Sequence, residues 1–152
     1  MNLSYFIERK PIEPFTPEME AAGCCCLFED KILLLKRHSD KPYGGTWGVP
    51  GGKMEKNEAI RACAIREVLE EAGLDIDDET LTFMGTLYCR INQNDQPFSY
   101  TFHLFQKKFH TLPKLDIGLD EHVEAKWVTF DEASKLPLII GGKEVLDYWF
   151  NP

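Results

Sequence analysis

No apolar stretch in the 152 residues approaches the roughly 18 to 20 needed to cross a bilayer as a helix. The N-terminal segment, MNLSYFIERKPIEPFTPEME, has no basic run followed by an apolar core, so no secretory leader is read there. Basic residues are in the minority: 17 Lys and Arg stand against 25 Asp and Glu, a net charge of −8. Clustered cations are what neutralise the phosphates of nucleic acid or an anionic membrane surface, so stable nucleic-acid binding and membrane association are both disfavoured. No C-x-x-C spacing occurs among the five cysteines. Cys24, Cys25 and Cys26 are consecutive, and neighbours on a strand point to opposite faces, so the three thiols cannot converge on one metal. They read as small buried hydrophobes in a reducing, cytoplasmic setting. Internal repeats, low-complexity segments and linkers are also missing.

What is present is an ordinary globular composition, 43% hydrophobic and 28% charged, on a length that suits one domain over residues 1–152. Residues 1–18 carry Pro11, Pro14 and Pro17 and read as an irregular N-terminal arm or edge segment. Apolar runs at 21–28 and 32–35, split by Glu29-Asp30-Lys31, predict a hairpin. Residues 57–72 form the strongest helical pattern, with Asn57 as cap and Gly73 as left-handed stop. Leu81, Phe83, Leu87, Cys89 and Ile91 share one parity, as do Phe98, Tyr100, Phe102 and Leu104, which predicts two half-buried strands. Another strand is expected at 123–130, and short helices at 131–136 and 143–150. Interleaved strands with few helices suggest a mixed sheet between helices.

On a wheel of the main helix, Glu67, Glu70 and Glu71 fall within an arc of roughly 100°. A solvated charged face would offset them with cations at i±4, yet only Arg66, four before Glu70, stands in such a place. The Glu67–Glu71 pair is repulsive as it stands. A divalent cation removes that repulsion, since Mg²⁺ is commonly held by a few carboxylates together with substrate phosphates. Spacing alone leaves cation binding and a bland charged face evenly matched.

The surroundings of the stripe add to this. Gly52, Glu58, Arg66, Glu67, Glu70, Glu71 and Gly73, with Val68 and Leu74 at aliphatic positions, match G-x5-E-x7-R-E-U-x-E-E-x-G-U throughout. The segment resembles the Nudix box, and Trp47-Gly48-Val49-Pro50-Gly51 resembles its usual lead-in. The resemblance implies an α/β fold, the Nudix-type α/β/α sandwich with a mixed β-sheet between helices. It implies hydrolysis of a pyrophosphate bond in a nucleoside diphosphate-linked substrate, with Mg²⁺ or Mn²⁺ as cofactor. It makes Glu67, Glu70 and Glu71 metal ligands, joined by the Gly51 carbonyl and by an acid from a later loop. Glu121 is favoured for that acid, with Glu124 as the fallback. Glu67 is a candidate general base, and Arg66 orients Glu67 and the loop. Glu58 is read as supporting the loop and not as touching substrate.

Outside the box, Arg37 is a candidate phosphate contact. Trp47, Phe98, Tyr100 and Phe102 read as packing, and none of His38, His103, His110 and His122 is assigned a role. Markers of particular substrate subfamilies are not met, which leans toward nucleoside triphosphates or small nucleotide derivatives. The alternatives are an RNA 5′-end pyrophosphohydrolase and a non-catalytic nucleotide-sensing Nudix domain. Members of the family are often homodimers, although no interface is readable in the sequence.

Overall fold

The computed structural model describes residues 3–11 and 13–152. It contains eight strands, β1 (Leu3–Glu8), β2 (Met19–Phe28), β3 (Lys31–Arg37), β4 (Trp47–Gly48), β5 (Gly51–Lys53), β6 (Thr82–Gln93), β7 (Gln96–Phe109) and β8 (His122–Thr129). Three helices accompany them, α1 (Ile60–Ala72), α2 (Phe130–Ser134) and α3 (Gly142–Phe150). The strands form one sheet in the order β1-β6-β7-β2-β3-β4, with β5 also paired to β2 and β8 to β3. The β2–β7 pair is parallel, whereas β6–β7 and β2–β3 are antiparallel, so the sheet is mixed as expected.

Alternation along the central strands builds two cores. Cys24 and Cys26 of β2 and Leu33 and Leu35 of β3 pack with Cys63, Ala64, Val68 and Ala72 of α1. Cys25, Ile32 and Leu34 face the other way, toward Ala133 of α2 and Val145 and Leu146 of α3. All five cysteines are buried and free, and the consecutive run divides between the two faces as strand geometry requires. The small residues along α1 let it lie close on the sheet, which brings its acids to the sheet surface.

Several local expectations are corrected. Residues 3–8 of the segment read as an irregular arm or edge segment are not irregular but form β1, an edge strand paired with β6 from Leu3↔Gln93 to Glu8↔Tyr88. Residues 1, 2 and 12 of that arm lie outside the described residues. The main helix begins at Ile60, and the residue at its N-cap is Ala59, with no side-chain cap. Asn57 instead sits in the preceding loop at φ 64, a left-handed conformation its short side chain tolerates. The single parity read along residues 81–91 crosses a bulge. Phe83 pairs with Phe105 but Gly85 with Leu104, so Leu81 packs with α1 while Leu87 and Cys89 pack with α3.

Three other features follow the sequence. β2 and β3 form the expected hairpin, with Glu29 at φ 53 in its turn. β6 and β7 are joined by Asn94 and Asp95, both at positive φ, the backbone of a twisted two-residue hairpin turn. Gly73 closes α1 at φ 71, donating its amide to the Leu69 carbonyl. Among the described residues no helix is long and apolar enough to cross a membrane.

Candidate active site

The last turns of α1 lie against β5, and the closeness of the two is set by glycine. A Cβ on Gly52 would stand 2.5 Å from Glu67 Oε1, so a larger residue there would displace that carboxylate from beside the strand. One residue earlier, the Gly51 amide donates to Glu71 Oε1 at 2.7 Å. The C-terminal end of α1 is covered by the chain that follows β7. The Asp116 amide donates to the Ala72 carbonyl at 2.9 Å and the Gly118 amide to the Glu71 carbonyl at 3.1 Å. These bonds satisfy carbonyls that the helix end leaves without partners. They also lead the chain directly to Glu121, whose carbonyl accepts the His38 amide at 2.7 Å. Residues far apart in sequence thus meet: Glu67 and Glu71 from α1, Gly51 and Gly52 from β5, Arg37 from β3, and Glu121 and His122 from the start of β8.

The acids divide into two sets. Arg66 organises one of them. Its Nε donates to Glu58 Oε2 at 2.7 Å and its Nη2 to Glu58 Oε1 at 3.0 Å, a bidentate pair. Its Nη1 donates to Glu67 Oε1 at 2.8 Å and to Glu70 Oε2 at 3.2 Å, and its Nη2 reaches the Lys53 carbonyl at 3.1 Å. The two-pronged contact is therefore with Glu58, and Arg66 holds Glu67 by a single bond. Hydrogen bonds from Arg66, and then the Glu55 amide, hold the Glu58 carboxyl down at about 2. The same pairing raises the Arg66 guanidinium further above its already high value. Glu70 stays largely exposed.

The second set lacks such a cation. Glu71 is buried, with 6% of its surface exposed. Burial pushes its carboxyl up to about 9, opposed by the Gly51 amide and reinforced by Glu67 and Glu121. Burial also raises Glu67, against the pull of Arg66. His122 Nδ1 lies 3.4 Å from Glu71 Oε2, and ligand atoms of Glu71, Glu121 and His122 all fall within 4.8 Å of one another. The His122 ring is held toward its neutral form by burial and by Arg37. Arg37 Nη1 is 3.9 Å from Glu121 Oε2, and its Nε donates to the Pro42 carbonyl at 2.9 Å. Glu124 faces elsewhere, pairing with Lys126 at 3.8 Å.

Two spaces open on this cluster. One is a groove lined by Arg37, Lys53, Lys56, Glu67 and Glu121. The other is a cavity of about 340 Å³ on the α3 side of the sheet, with Arg37, Glu71 and His122 among its lining residues. Its walls include Tyr43, Trp47, Phe98, Tyr100 and Phe102. Reading these aromatics as packing alone is thus incomplete, since they also form the wall of a cavity. His122 is the residue the sequence reading passed over. Its signal was adjacency to Glu121, and its neighbours on α1 and β3 are invisible from spacing.

A mixed sheet between helices, with an acid-bearing helix end laid against a glycine strand, defines a Nudix-type α/β fold. The chain belongs to that family: the NUDIX domain model matches residues 17–149. An uncharacterized Nudix hydrolase of Bacillus subtilis, YvcI, is 30% identical over 126 residues, 83% of this chain and 75% of that protein. An 8-oxo-dGTP diphosphatase of Proteus vulgaris is 38% identical over 61 residues, 40% of this chain and 54% of that protein. The crystal structure of a MutT NUDIX hydrolase from Burkholderia pseudomallei superposes with a TM-score of 0.73 at 23% identity, covering 88% of this chain and 98% of that one.

Proposed function

We propose that this protein hydrolyses a pyrophosphate bond in a nucleoside diphosphate-linked substrate, a nucleoside triphosphate or a small nucleotide derivative, with Mg²⁺ or Mn²⁺. The observation that carries the reading is the buried Glu71 carboxyl, without a Lys or Arg partner among the described residues, clustered with Glu121 and His122 beside a largely apolar cavity. Arg66 serves Glu67 and Glu70 and Arg37 stands near Glu121, but Glu71 makes no ion pair with Lys or Arg among the described residues; a carboxylate buried that way is costly unless a cation joins it, and its raised carboxyl shows the cost. The oxygen donors suit Mg²⁺ or Mn²⁺. Glu67, Glu70, Glu71 and Glu121 would hold the cation together with the Gly51 carbonyl.

When bound, the cation supplies charge neutralisation for the phosphate oxygens and for the charge that develops on them. The protein does the rest by positioning. Arg37 contacts a phosphate at the junction of groove and cavity. Arg66 holds Glu67 through one prong while Glu58 holds Arg66 through two, which keeps the Glu67 carboxylate aimed at the groove. Glu67 accepts the proton of the attacking water, a role its raised pKa suits. The aromatic cavity takes the group attached to the diphosphate, burying it away from solvent.

A panel of nucleoside triphosphates and diphosphate-linked nucleotides, incubated with Mg²⁺ in ¹⁸O-labelled water, tests this. Phosphate or pyrophosphate release is expected, with the label on one product identifying the attacked phosphorus. Lack of turnover across the panel with both Mg²⁺ and Mn²⁺ would sink the proposal.

A further inference from the structure

We infer that His122 is a direct nitrogen ligand to the divalent cation, binding through Nδ1 alongside Glu71 and Glu121. The inference rests on the cation-binding reading above and adds a ligand of a different chemical kind. His122 is 5% exposed, and its Nδ1 is buried without a hydrogen-bond partner. Such an atom is rare in a folded protein and needs a cause. Glu71 Oε2 stands at 3.4 Å from it, beyond the roughly 2.7–2.9 Å of a charge-assisted bond. Nδ1 nevertheless lies on the Glu71 side of the ring, and one ring nitrogen of His122 and one carboxylate oxygen each of Glu71 and Glu121 lie within 4.8 Å of one another. Ligands on opposite sides of one ion are separated by about 4.2–4.4 Å, so a small inward shift closes the set.

The placement is built by the fold. His122 is the first residue of β8 and pairs with Arg37, next to a register shift in β3 between Lys36 and Arg37. Its backbone is therefore fixed, and its ring is walled in by the end of α1. A cation at this point satisfies the orphaned nitrogen and the buried Glu71 carboxylate together. An imidazole ligand biases the site away from Mg²⁺ and toward first-row transition ions, which bind nitrogen more readily.

Pulsed electron paramagnetic resonance of the Mn²⁺-loaded protein tests this without reference to turnover. Directly bound imidazole gives strong ¹⁴N modulation, which ¹⁵N-histidine labelling converts to the ¹⁵N pattern in the unaltered sequence. His122→Gln should abolish that signal and weaken Mn²⁺ binding by about tenfold, while weakening Mg²⁺ binding less. Mn²⁺ bound without nitrogen coupling overturns the assignment of His122 and leaves the carboxylate site standing. Failure of the unaltered protein to bind Mn²⁺ overturns both. Should His122→Gln fail to fold, the isotope-labelled protein and His103→Gln, away from the cluster, still decide whether a histidine is bound.

Discussion

In metal-free protein, Glu71 should make the fold less stable as the solution becomes more alkaline, and Glu71→Gln should cancel the effect. Burial raises the native carboxyl to about 9 from an ordinary 4.5, with Glu67 and Glu121 adding to the rise. Between these values the folded protein keeps a proton that the unfolded chain has released. The stabilising contribution is therefore complete below the unfolded value and is lost as pH climbs toward the folded one. At 1.36 kcal/mol per pH unit, the step from about pH 7 to about pH 8.5 removes up to roughly 2 kcal/mol. For a chain of this size that is a fall in Tm of about 4–8 °C. Glutamine keeps an oxygen to accept the Gly51 amide but cannot ionise, so the variant should lose the slope and become the more stable protein at the upper pH. Thermal melts of both proteins in EDTA across this range give the comparison, and groups common to both cancel. Adding Mg²⁺ should restore the unaltered protein at high pH and leave the variant almost unmoved, because the cation binds the ionised carboxylate. Parallel melting curves for the two proteins in EDTA would refute the reasoning.

Two further outcomes follow from the same geometry. Arg66→Lys cannot reproduce the fork on Glu58 while also reaching Glu67 and Glu70, so steady-state kcat/KM should fall by about tenfold or more with only a modest drop in Tm; full activity would remove Arg66 from its positioning role. Among the described residues the cavity wall includes no Asn or Gln, so no side-chain amide is there to pair with a base edge, and its aromatic part offers only the Tyr43 and Tyr100 hydroxyls and the Trp47 N–H. Discrimination between 8-oxo-dGTP and dGTP in kcat/KM should therefore stay below about a hundredfold, and a ratio near ten thousand would overturn the reading of the wall as weakly base-selective.

What could be read from the sequence depended on how local the determinant was. The acid stripe lies in one contiguous stretch with helical spacing, so its residues were legible as a cluster, although spacing alone left a cation site and a charged face evenly matched and the resemblance to the Nudix box supplied the metal reading; the Arg66–Glu70 contact followed from i+4 spacing. β1 was not legible as a strand. Five of its six residues are exposed, so it has no alternating pattern, and what makes it a strand is pairing with β6 more than eighty residues away. The face switch in β6 escaped for a related reason, since a bulge is a property of the pair and leaves a seamless alternation in the single strand. Asn57 looked like a helix cap because its chemistry suits that place, and the backbone used the same chemistry for a left-handed turn. His122 was unreadable because, apart from its neighbour Glu121, the groups that give it meaning arrive from other elements, Glu71 from α1 and Arg37 from β3.

The net charge of −8 takes on structure once the acids are placed. Glu58, Glu67 and Glu70 share one guanidinium, and the Glu58 carboxyl accordingly falls to about 2. Glu71 lies one residue beyond Glu70 on the same helix, and its carboxyl rises to about 9. Acids of one site thus have opposite electrostatic outcomes: Glu58, gripped by both prongs of Arg66, is lowered, whereas burial raises Glu67, held by one prong, and Glu71, which Arg66 does not contact. A fold selected for stability alone would replace Glu71, whose burial works against folding, with an apolar residue of similar size. Its placement beside Glu121, an unpartnered His122 nitrogen and the mouth of a cavity makes sense if the missing positive charge comes from outside the chain. The instability of the metal-free site and its capacity to bind a cation are then the same electrostatic fact, measured once by the pH dependence of folding and once by the affinity for Mg²⁺ or Mn²⁺.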